Sequence, residues 1–160
     1  MFDRTMISDS RDQNYTMLIQ SLEGFITKKE PLITVLSNLS ALMNVFIDNI
    51  NWVGFYLKEN NRLTLGPFQG LPACTLIKIG DGVCGLSAKN QETIIVDDVH
   101  QFPNHIACDS ASQSEIVVPI VKNGELFGVI DVDSPYKNRF TEKEKVLLEK
   151  VAAYMVDNYL

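Results

Sequence analysis

The sequence predicts an α+β domain, in which an antiparallel sheet carries N- and C-terminal helices on one face and leaves the other face for a ligand pocket. Apolar residues recur at helical spacing near both ends of the chain, and alternating segments joined by turn-forming residues lie between them. No repeat or low-complexity segment interrupts the 160 residues. We therefore expect one domain over 1–160, with its core between about 15 and 158.

Helices are predicted at both ends of the chain. Apolar side chains recur every three or four residues in "NYTMLIQSLEGFITK" (14–28), and "PLITVLSNLSALMNVF" (31–46) repeats the pattern behind a proline that favours a helix start. The closing segment "FTEKEKVLLEKVAAYMVDNYL" contains Thr141 and, three residues later, Glu144, which is a capping-box arrangement. Two helices therefore open the fold and one closes it.

Strands are predicted in the middle of the chain. "INWVGFYLKENNRLTLGPF" is rich in β-branched and aromatic residues around an Asn-Asn pair, which indicates a hairpin. "TIIVDDV" predicts a further strand, and "EIVVPIVKNGELFGVIDVD" predicts two strands joined by an Asn-Gly turn. "DGVCGLSAKNQE" suits a short helix that ends near Asn90, and a loop is expected over about 97–113.

Charge and hydropathy exclude several classes of partner. The net charge is -6 and no basic run is longer than a Lys-Lys pair, which argues against a nucleic-acid surface. No stretch of 18 apolar residues occurs, and the first residues lack the apolar run of a signal peptide. We expect a cytoplasmic protein with no membrane contact and no bound cofactor, whose partner is a small molecule or another protein.

The three cysteines, Cys74, Cys84 and Cys108, do not form a framework of disulfides, because their number is odd and the cytosol is reducing. A zinc site would need a fourth ligand. The histidines are His100 and His105, and no C-x-x-C pair is present to nucleate such a site, so no metal is expected. A redox role, or no chemical role at all, remains for the thiols.

Alternation along "ELFGVIDVD" divides its side chains between the two faces of the sheet. One face holds Phe127, Val129, Asp131 and Asp133, and the other holds Leu126, Ile130 and Val132. Two carboxylates at the end of an apolar strand mark either its exit into solvent or a binding site. Glu115 and Asp109, in the neighbouring segment, favour a binding site.

Strand register decides whether Glu115 joins these acids. A regular two-residue hairpin would pair Glu115 with Val132 and direct its side chain away from Asp131 and Asp133. Pro119 cannot donate a hydrogen bond to a ladder and often marks a bulge. We therefore predict an irregularity between Glu115 and Pro119. Converging acids would raise at least one pKa, giving a proton donor and a site for an α-ammonium group.

Cys108 lies in the polar stretch "HIACDSASQSE", beside Asp109 and without a Lys or Arg nearby to favour its thiolate. It is either an inert small residue or a thiol that attacks an activated substrate. Sulfoxide reduction follows the second logic: protonation of the S–O oxygen makes sulfur electrophilic, a thiolate attacks it, and a second cysteine resolves the sulfenic acid. Trp52 and Tyr56 share a strand face and form either core or a pocket wall for a methyl group.

Three segments carry a resemblance to a known family. "NWVGFYL", "LGPFQGLPACTLIKIGDGVCGLSA" and "VDDVHQFPNHIACDSASQSEIVVPI" resemble the free methionine-R-sulfoxide reductases, which are stand-alone GAF-domain enzymes. The similarity runs from about residue 15 to the end and implies a GAF-like sheet. It also implies that Cys108 attacks the substrate, that Cys84 or Cys74 resolves its sulfenic acid, and that thioredoxin restores the thiols.

The same resemblance implies the residues that bind the substrate. Glu115, Asp131 and Asp133 would bind the sulfoxide and ammonium groups, while Trp52 and Tyr56 would enclose the methyl end. The alternative is a non-catalytic GAF module that binds a small ligand or senses oxidants through its cysteines. The choice of resolving cysteine and the formation of a homodimer stay open.

Overall fold

The computed structural model of the chain describes residues 3–103, 106 and 109–160. The helices are α1 Arg11–Phe25, α2 Leu32–Phe46, α3 Gly82–Asn90 and α4 Glu142–Asn158. The strands are β1 Trp52–Glu59, β2 Arg62–Gln69, β3 Leu76–Lys78, β4 Ile94–Val96, β5 Ser114–Lys122 and β6 Glu125–Ser134, and short 3-10 turns occur at Arg4–Met6 and Val99–Gln101. All six strands form one antiparallel sheet in the order β3-β2-β1-β6-β5-β4. The predicted α+β class is confirmed, and β3 is an element that the sequence did not predict.

One face of the sheet forms the main hydrophobic core against α1, α2 and α4. The strand side chains in this core are Val53 and Phe55 of β1, Ile116, Val118 and Ile120 of β5, and Ile130 and Val132 of β6. These positions alternate along each strand, so every second side chain meets the helices. The predicted packing of the N- and C-terminal helices on one face is confirmed.

A buried arginine joins both ends of the chain to this core. Arg139 donates hydrogen bonds to Glu144 Oε1 (2.9 Å), the Asp48 carbonyl (2.8 Å) and the Tyr15 hydroxyl (3.2 Å). Thr141 and Glu144 form the predicted capping box at the start of α4. Burial opposes ionisation of Glu144, but hydrogen bonds from Tyr15, Thr141 and Arg139 outweigh it and lower the pKa of Glu144 to about 2. Arg139 and Glu144 therefore hold helices α1 and α4 together.

The opposite face packs against α3 and the segments that flank it. A second hydrophobic cluster forms there, in which Trp52 and Tyr56 of β1 and Val117 and Val129 of the central strands meet Val83 of α3. The predicted short helix thus covers part of the face on which we expected the pocket. None of the helices in the described part of the chain has the length and hydropathy that a membrane span requires.

The β5–β6 hairpin contains the irregularity that decides the register. Beside the turn, Lys122 pairs with Glu125 and Val121 with Leu126, but the next pair is Ile120 with Gly128. Phe127 has no partner opposite it, so β6 carries one extra residue, which is a β-bulge. Every pair beyond the bulge is offset by one position.

The predicted irregularity therefore exists, but its predicted location between Glu115 and Pro119 is wrong. Pro119 pairs with Val129 within a regular stretch of the ladder. A glycine permits the bulge beside the turn, because a Cβ at Gly128 would overlap the carbonyl oxygen of Tyr56 on β1. As a result Glu115 lies opposite Asp133 and not Val132.

Because of the bulge, two predicted side-chain directions are wrong. Phe127 packs against the helix-face core and Leu126 against the cluster on the pocket face, the reverse of the predicted faces. Strict alternation holds from Val129 to Asp133, where no extra residue intervenes.

Gly54 is needed for the aromatic packing on the pocket face. It lies opposite Phe68, and the Trp52 ring stacks on Phe68 with ring centroids 5.3 Å apart. A Cβ at position 54 would overlap Phe68 Cβ and lie 2.7 Å from Trp52 Cη2. We predict that Gly54→Ala lowers the free energy of unfolding by about 1–3 kcal/mol, measured by urea denaturation.

Gly24→Ala is the matched control for Gly54→Ala. Gly24 lies in α1, and a Cβ there would meet no heavy atom within 4 Å. Since alanine is a better helix former, this variant should be as stable as the parent or up to about 1 kcal/mol more stable. Equal stability of Gly54→Ala and the parent would contradict the proposed steric conflict.

Candidate active site

A small, nearly closed cavity lies on the pocket face, between the sheet and α3. Tyr56 of β1, Glu115 of β5 and Asp131 and Asp133 of β6 contribute side chains from the sheet, and Cys84 contributes from α3. The cavity volume is about 30 Å³, which is room for about two water molecules. The rest of its lining comes from Ile77, Asp81, Gly82, Val83, Ile106, Asp109 and Ser112.

The three predicted acids converge in this cavity. Glu115 lies directly opposite Asp133, and Asp131 follows on the same face of β6. Glu115 and Asp131 are each only 6% exposed. The oxygen Oδ1 of Asp131 is buried and has no hydrogen-bond partner among the described residues. The geometry therefore brings together the carboxyl groups that the regular hairpin would have separated.

Burial and mutual repulsion change the protonation of these acids. Burial raises the pKa of Glu115 well above its usual range, and repulsion from Asp133 adds to the shift. Burial likewise raises the pKa values of Asp131 and Asp133, with further increases from Glu115 on Asp131 and from Asp131 on Asp133. Each of these shifts favours the protonated form of the carboxyl, so the group is suited to act as a proton donor.

Tyr56 and Trp52 form the aromatic side of the site. Tyr56 lines the cavity, whereas Trp52 stacks behind it with ring centroids 5.9 Å apart. The Tyr56 hydroxyl donates to the carbonyl oxygen of Cys74 (3.0 Å), and Trp52 Nε1 donates to that of Leu71 (3.1 Å). Tyr56 therefore presents an aromatic surface to the cavity, and Trp52 packs against the Tyr56 ring.

Cys84, one of the three predicted site cysteines, lies beside the acids. Cys84 is a buried free thiol whose Sγ lies 3.9 Å from Glu115 Oε1. Burial, followed by repulsion from Asp131 and Glu115, raises the pKa of Cys84 well above its usual range, which keeps the thiol protonated. Cys74 is disulfide-bonded. Cys108, the predicted attacking cysteine, lies outside the described residues, as does His105.

Asn51 is a site residue that sequence reasoning missed. Its Nδ2 donates to Asp109 Oδ2 (2.8 Å) and to Ser112 Oγ (3.1 Å), and its backbone N–H donates to the Asp133 carbonyl (3.0 Å). Ser112 is buried and hydrogen-bonds to the Asp133 side chain. Asn51 thus joins the segment that follows Cys108 to the acidic strand. Nothing in the sequence distinguishes it from the other asparagines.

The fold and the site together define a GAF domain that encloses a small acidic pocket. The GAF domain family matches residues 29–156. The free methionine-R-sulfoxide reductase of Escherichia coli is 39% identical, over 91% of this chain and 88% of its own.

Solved structures are also similar to this chain in sequence and in fold. One is fRMsr of Staphylococcus aureus in its reduced form, with 50% identity, coverage of 90% of this chain and 94% of that chain, and a TM-score of 0.86. Another is a free methionine-R-sulfoxide reductase of Neisseria meningitidis in complex with its substrate, with 37% identity, coverage of 94% and 90%, and a TM-score of 0.86. The chain belongs to the free methionine-R-sulfoxide reductase family of GAF-domain proteins.

The buried acids make stability depend on pH. Because the folded-state pKa of Asp131 is raised, the folded protein holds a proton that the unfolded chain has released, so stability falls as pH rises from the ordinary aspartate pKa towards the folded value. We predict that Asp131→Asn gains stability relative to the parent as pH increases from about 5 to about 8, measured by urea denaturation.

Asp98→Asn provides the contrasting control. A hydrogen bond from Lys137 lowers the pKa of the half-buried Asp98, so the stability of Asp98→Asn relative to the parent should not increase with pH. A constant difference between Asp131→Asn and the parent over the whole pH range would contradict the proposed burial of charge.

Proposed function

We propose that the protein is an enzyme that reduces free methionine-R-sulfoxide to methionine. The convergence of Glu115, Asp131 and Asp133 in a closed pocket beside Tyr56 carries this proposal. The pocket offers negative charge for an ammonium group, a protonated carboxyl for the sulfoxide oxygen, and an aromatic surface for the methyl end.

The substrate is held by its charge and by its shape. The ionised members of the acid group attract the α-ammonium, while Tyr56, supported by Trp52, contacts the methyl group on sulfur. A peptide-bound methionine sulfoxide lacks this ammonium charge and would leave buried carboxylates unpaired. The enzyme therefore prefers the free amino acid.

The reaction uses the proton that the buried acids retain. A protonated carboxyl donates to the S–O oxygen, and the Cys108 thiolate attacks the sulfur to form an S–S bond. Transfer of the hydroxyl from the methionine sulfur to the Cys108 sulfur then breaks the S–O and S–S bonds and gives methionine and a Cys108 sulfenic acid. A second thiol attacks this sulfenic acid and releases water, forming a disulfide. Thioredoxin, as the external reductant, returns two electrons and two protons to the disulfide, and the protein needs no bound cofactor.

We favour Cys74 as the resolving cysteine. Cys74 is disulfide-bonded, whereas Cys84 is a free thiol. The raised pKa of the Cys84 thiol makes it a poor nucleophile at neutral pH. Cys84 then serves as a pocket residue.

Turnover of a chiral mixture tests the proposed function. With thioredoxin, thioredoxin reductase and NADPH, the purified protein should consume the R form of free methionine sulfoxide and leave the S form, followed by chiral chromatography. Cys108→Ser should show no turnover. Without thioredoxin, Cys84→Ser should release methionine and form a disulfide, whereas Cys74→Ser should release methionine and form none. A parent protein that binds a nucleotide and consumes neither form would instead be a non-catalytic GAF module.

Asn51 is proposed as a positioning residue for the attack. Because its side chain holds Asp109 and Ser112 against the acidic strand, Asn51→Ala should lower kcat about tenfold while changing KM less than about twofold. Steady-state kinetics at saturating thioredoxin measure both constants. Asn61→Ala, in the exposed β1–β2 turn, is the control and should match the parent. An unchanged kcat in Asn51→Ala would contradict this role.

A further inference from the structure

We propose that the pocket, with Cys84 as a free thiol, also binds Zn²⁺, which is held by Cys84 Sγ and by carboxylate oxygens of Glu115 and Asp131 and inhibits the enzyme reversibly. Metal binding follows from the geometry of these three side chains alone. Only the inhibition rests on the proposed function, because it requires that substrate and ion compete for the same carboxylates.

The three ligand atoms are already close to the spacing that zinc requires. One atom from each of Cys84, Glu115 and Asp131 lies within 4.8 Å of the other two. The Cys84 Sγ to Glu115 Oε1 distance is 3.9 Å. Tetrahedral zinc, with Zn–S of about 2.3 Å and Zn–O of about 2.0 Å, places sulfur and oxygen about 3.5 Å apart. Small side-chain rotations therefore suffice to close the site around an ion.

An unsatisfied oxygen points independently to a bound cation. Asp131 is 6% exposed, and its Oδ1 is buried without a hydrogen-bond partner among the described residues. A desolvated carboxylate oxygen without a partner is costly, and contact with a cation removes that cost. Substrate ammonium or a metal ion can each supply this contact.

The charge of the cavity also favours a divalent ion. The carboxyl groups that line it belong to Asp81, Asp109, Glu115, Asp131 and Asp133. No Lys or Arg is among the described residues of the lining, so no side chain there offsets this charge. Binding of Zn²⁺ replaces the Cys84 thiol proton with the metal, releases that proton to solvent, and adds positive charge to the cavity.

The donor set selects zinc over magnesium or calcium. A thiolate is a soft ligand that favours zinc, whereas magnesium and calcium require oxygen ligands alone. Three protein ligands leave the fourth position of zinc open to water. The sequence-based expectation of no metal assumed that a fourth protein ligand is needed, which does not apply to an open site of this kind.

Inhibition follows from the overlap with the substrate site. An ion bound to Glu115 and Asp131 occupies the place proposed for the ammonium group and removes the carboxyl proton needed at the S–O oxygen. Because Cys84 is free while Cys74 is disulfide-bonded, the metal site remains available in that state of the protein.

Zinc titration of the full chain tests the site. Reduced, metal-free protein should bind one Zn²⁺ per chain in competition with a chromophoric chelator, and Co²⁺ should give a thiolate-to-cobalt charge-transfer band. Cys84→Ser should abolish the band, and Cys84→Ser and Asp131→Asn should each weaken Zn²⁺ binding at least about tenfold. The control is the double variant Cys74→Ser/Cys108→Ser, in which Cys84 is the sole thiol, and it should retain both the stoichiometry and the band.

Three binding results would overturn the proposal: no stoichiometric binding by the parent, unchanged binding by Cys84→Ser, or loss of binding by the double variant. Urea denaturation of Cys84→Ser and Asp131→Asn shows that each variant is folded before its affinity is compared. If one of these variants is unfolded, the Zn²⁺ affinity of the other variant tests the site.

A kinetic measurement separates the two proposals. In the parent, Zn²⁺ should raise KM for methionine sulfoxide, and a chelator should reverse the effect. If the chain binds one Zn²⁺ but reduces no sulfoxide, the proposed function is contradicted while the zinc site is supported. Turnover that is unaffected by stoichiometric Zn²⁺ would overturn the inhibition.

Discussion

The site depends on one extra residue in strand β6. Phe127 has no partner in β5, so the ladder beyond it is offset and Glu115 lies opposite Asp133. In a regular hairpin the Glu115 side chain would point into the core formed with α1, α2 and α4, where no ligand could reach it. A carboxyl group buried there without a partner would cost several kcal/mol. The pocket therefore depends on the bulge. Gly128 is needed beside the bulge because a Cβ there would overlap the carbonyl oxygen of Tyr56.

The two faces of the sheet have different roles. The helix face forms the main hydrophobic core, and the pocket face carries the candidate active site. On the helix face, apolar side chains and the Arg139 network join α1 and α4 to the sheet. On the pocket face, Glu115, Asp131 and Cys84 are buried together without an offsetting cation in the described lining. The second arrangement is unfavourable for folding and favourable for binding a cation, because a positively charged ligand relieves both the repulsion and the desolvation. The core on the helix face offsets that cost.

Much of the fold was predictable because it follows from periodicity. Apolar spacing located α1, α2 and α4, the Asn-Gly turn located the β5–β6 hairpin, and alternation placed Trp52 and Tyr56 on the pocket face. The three residues of β3 carry too short a pattern to be recognised, and their pairing with β2 depends on the fold around them. The bulge was expected near Pro119 because proline cannot donate to a ladder, but it lies where Gly128 meets a neighbouring carbonyl. That is a contact between strands, which local sequence does not record.

The types of residue that form the site could be predicted better than the contacts between them. Two acids on one face of β6 follow from alternation, while the position of Glu115 required the register of another strand. Asn51 became visible only through its hydrogen bonds to Asp109 and Ser112, because a single asparagine before a strand has no distinguishing pattern. The assignment of Cys108 as the attacking thiol stays a prediction from family resemblance, since it lies outside the described residues.

Under the proposed function, the offset ladder creates a pocket for the ammonium group of a free amino acid. A crystal structure of the reduced protein with methionine bound would show whether the ammonium group lies there. The ammonium nitrogen should lie within hydrogen-bond distance of carboxylate oxygens from both β5 and β6, and the methyl group should contact Tyr56. An ammonium group that faces solvent, or a Glu115 side chain directed towards the helices, would contradict this prediction.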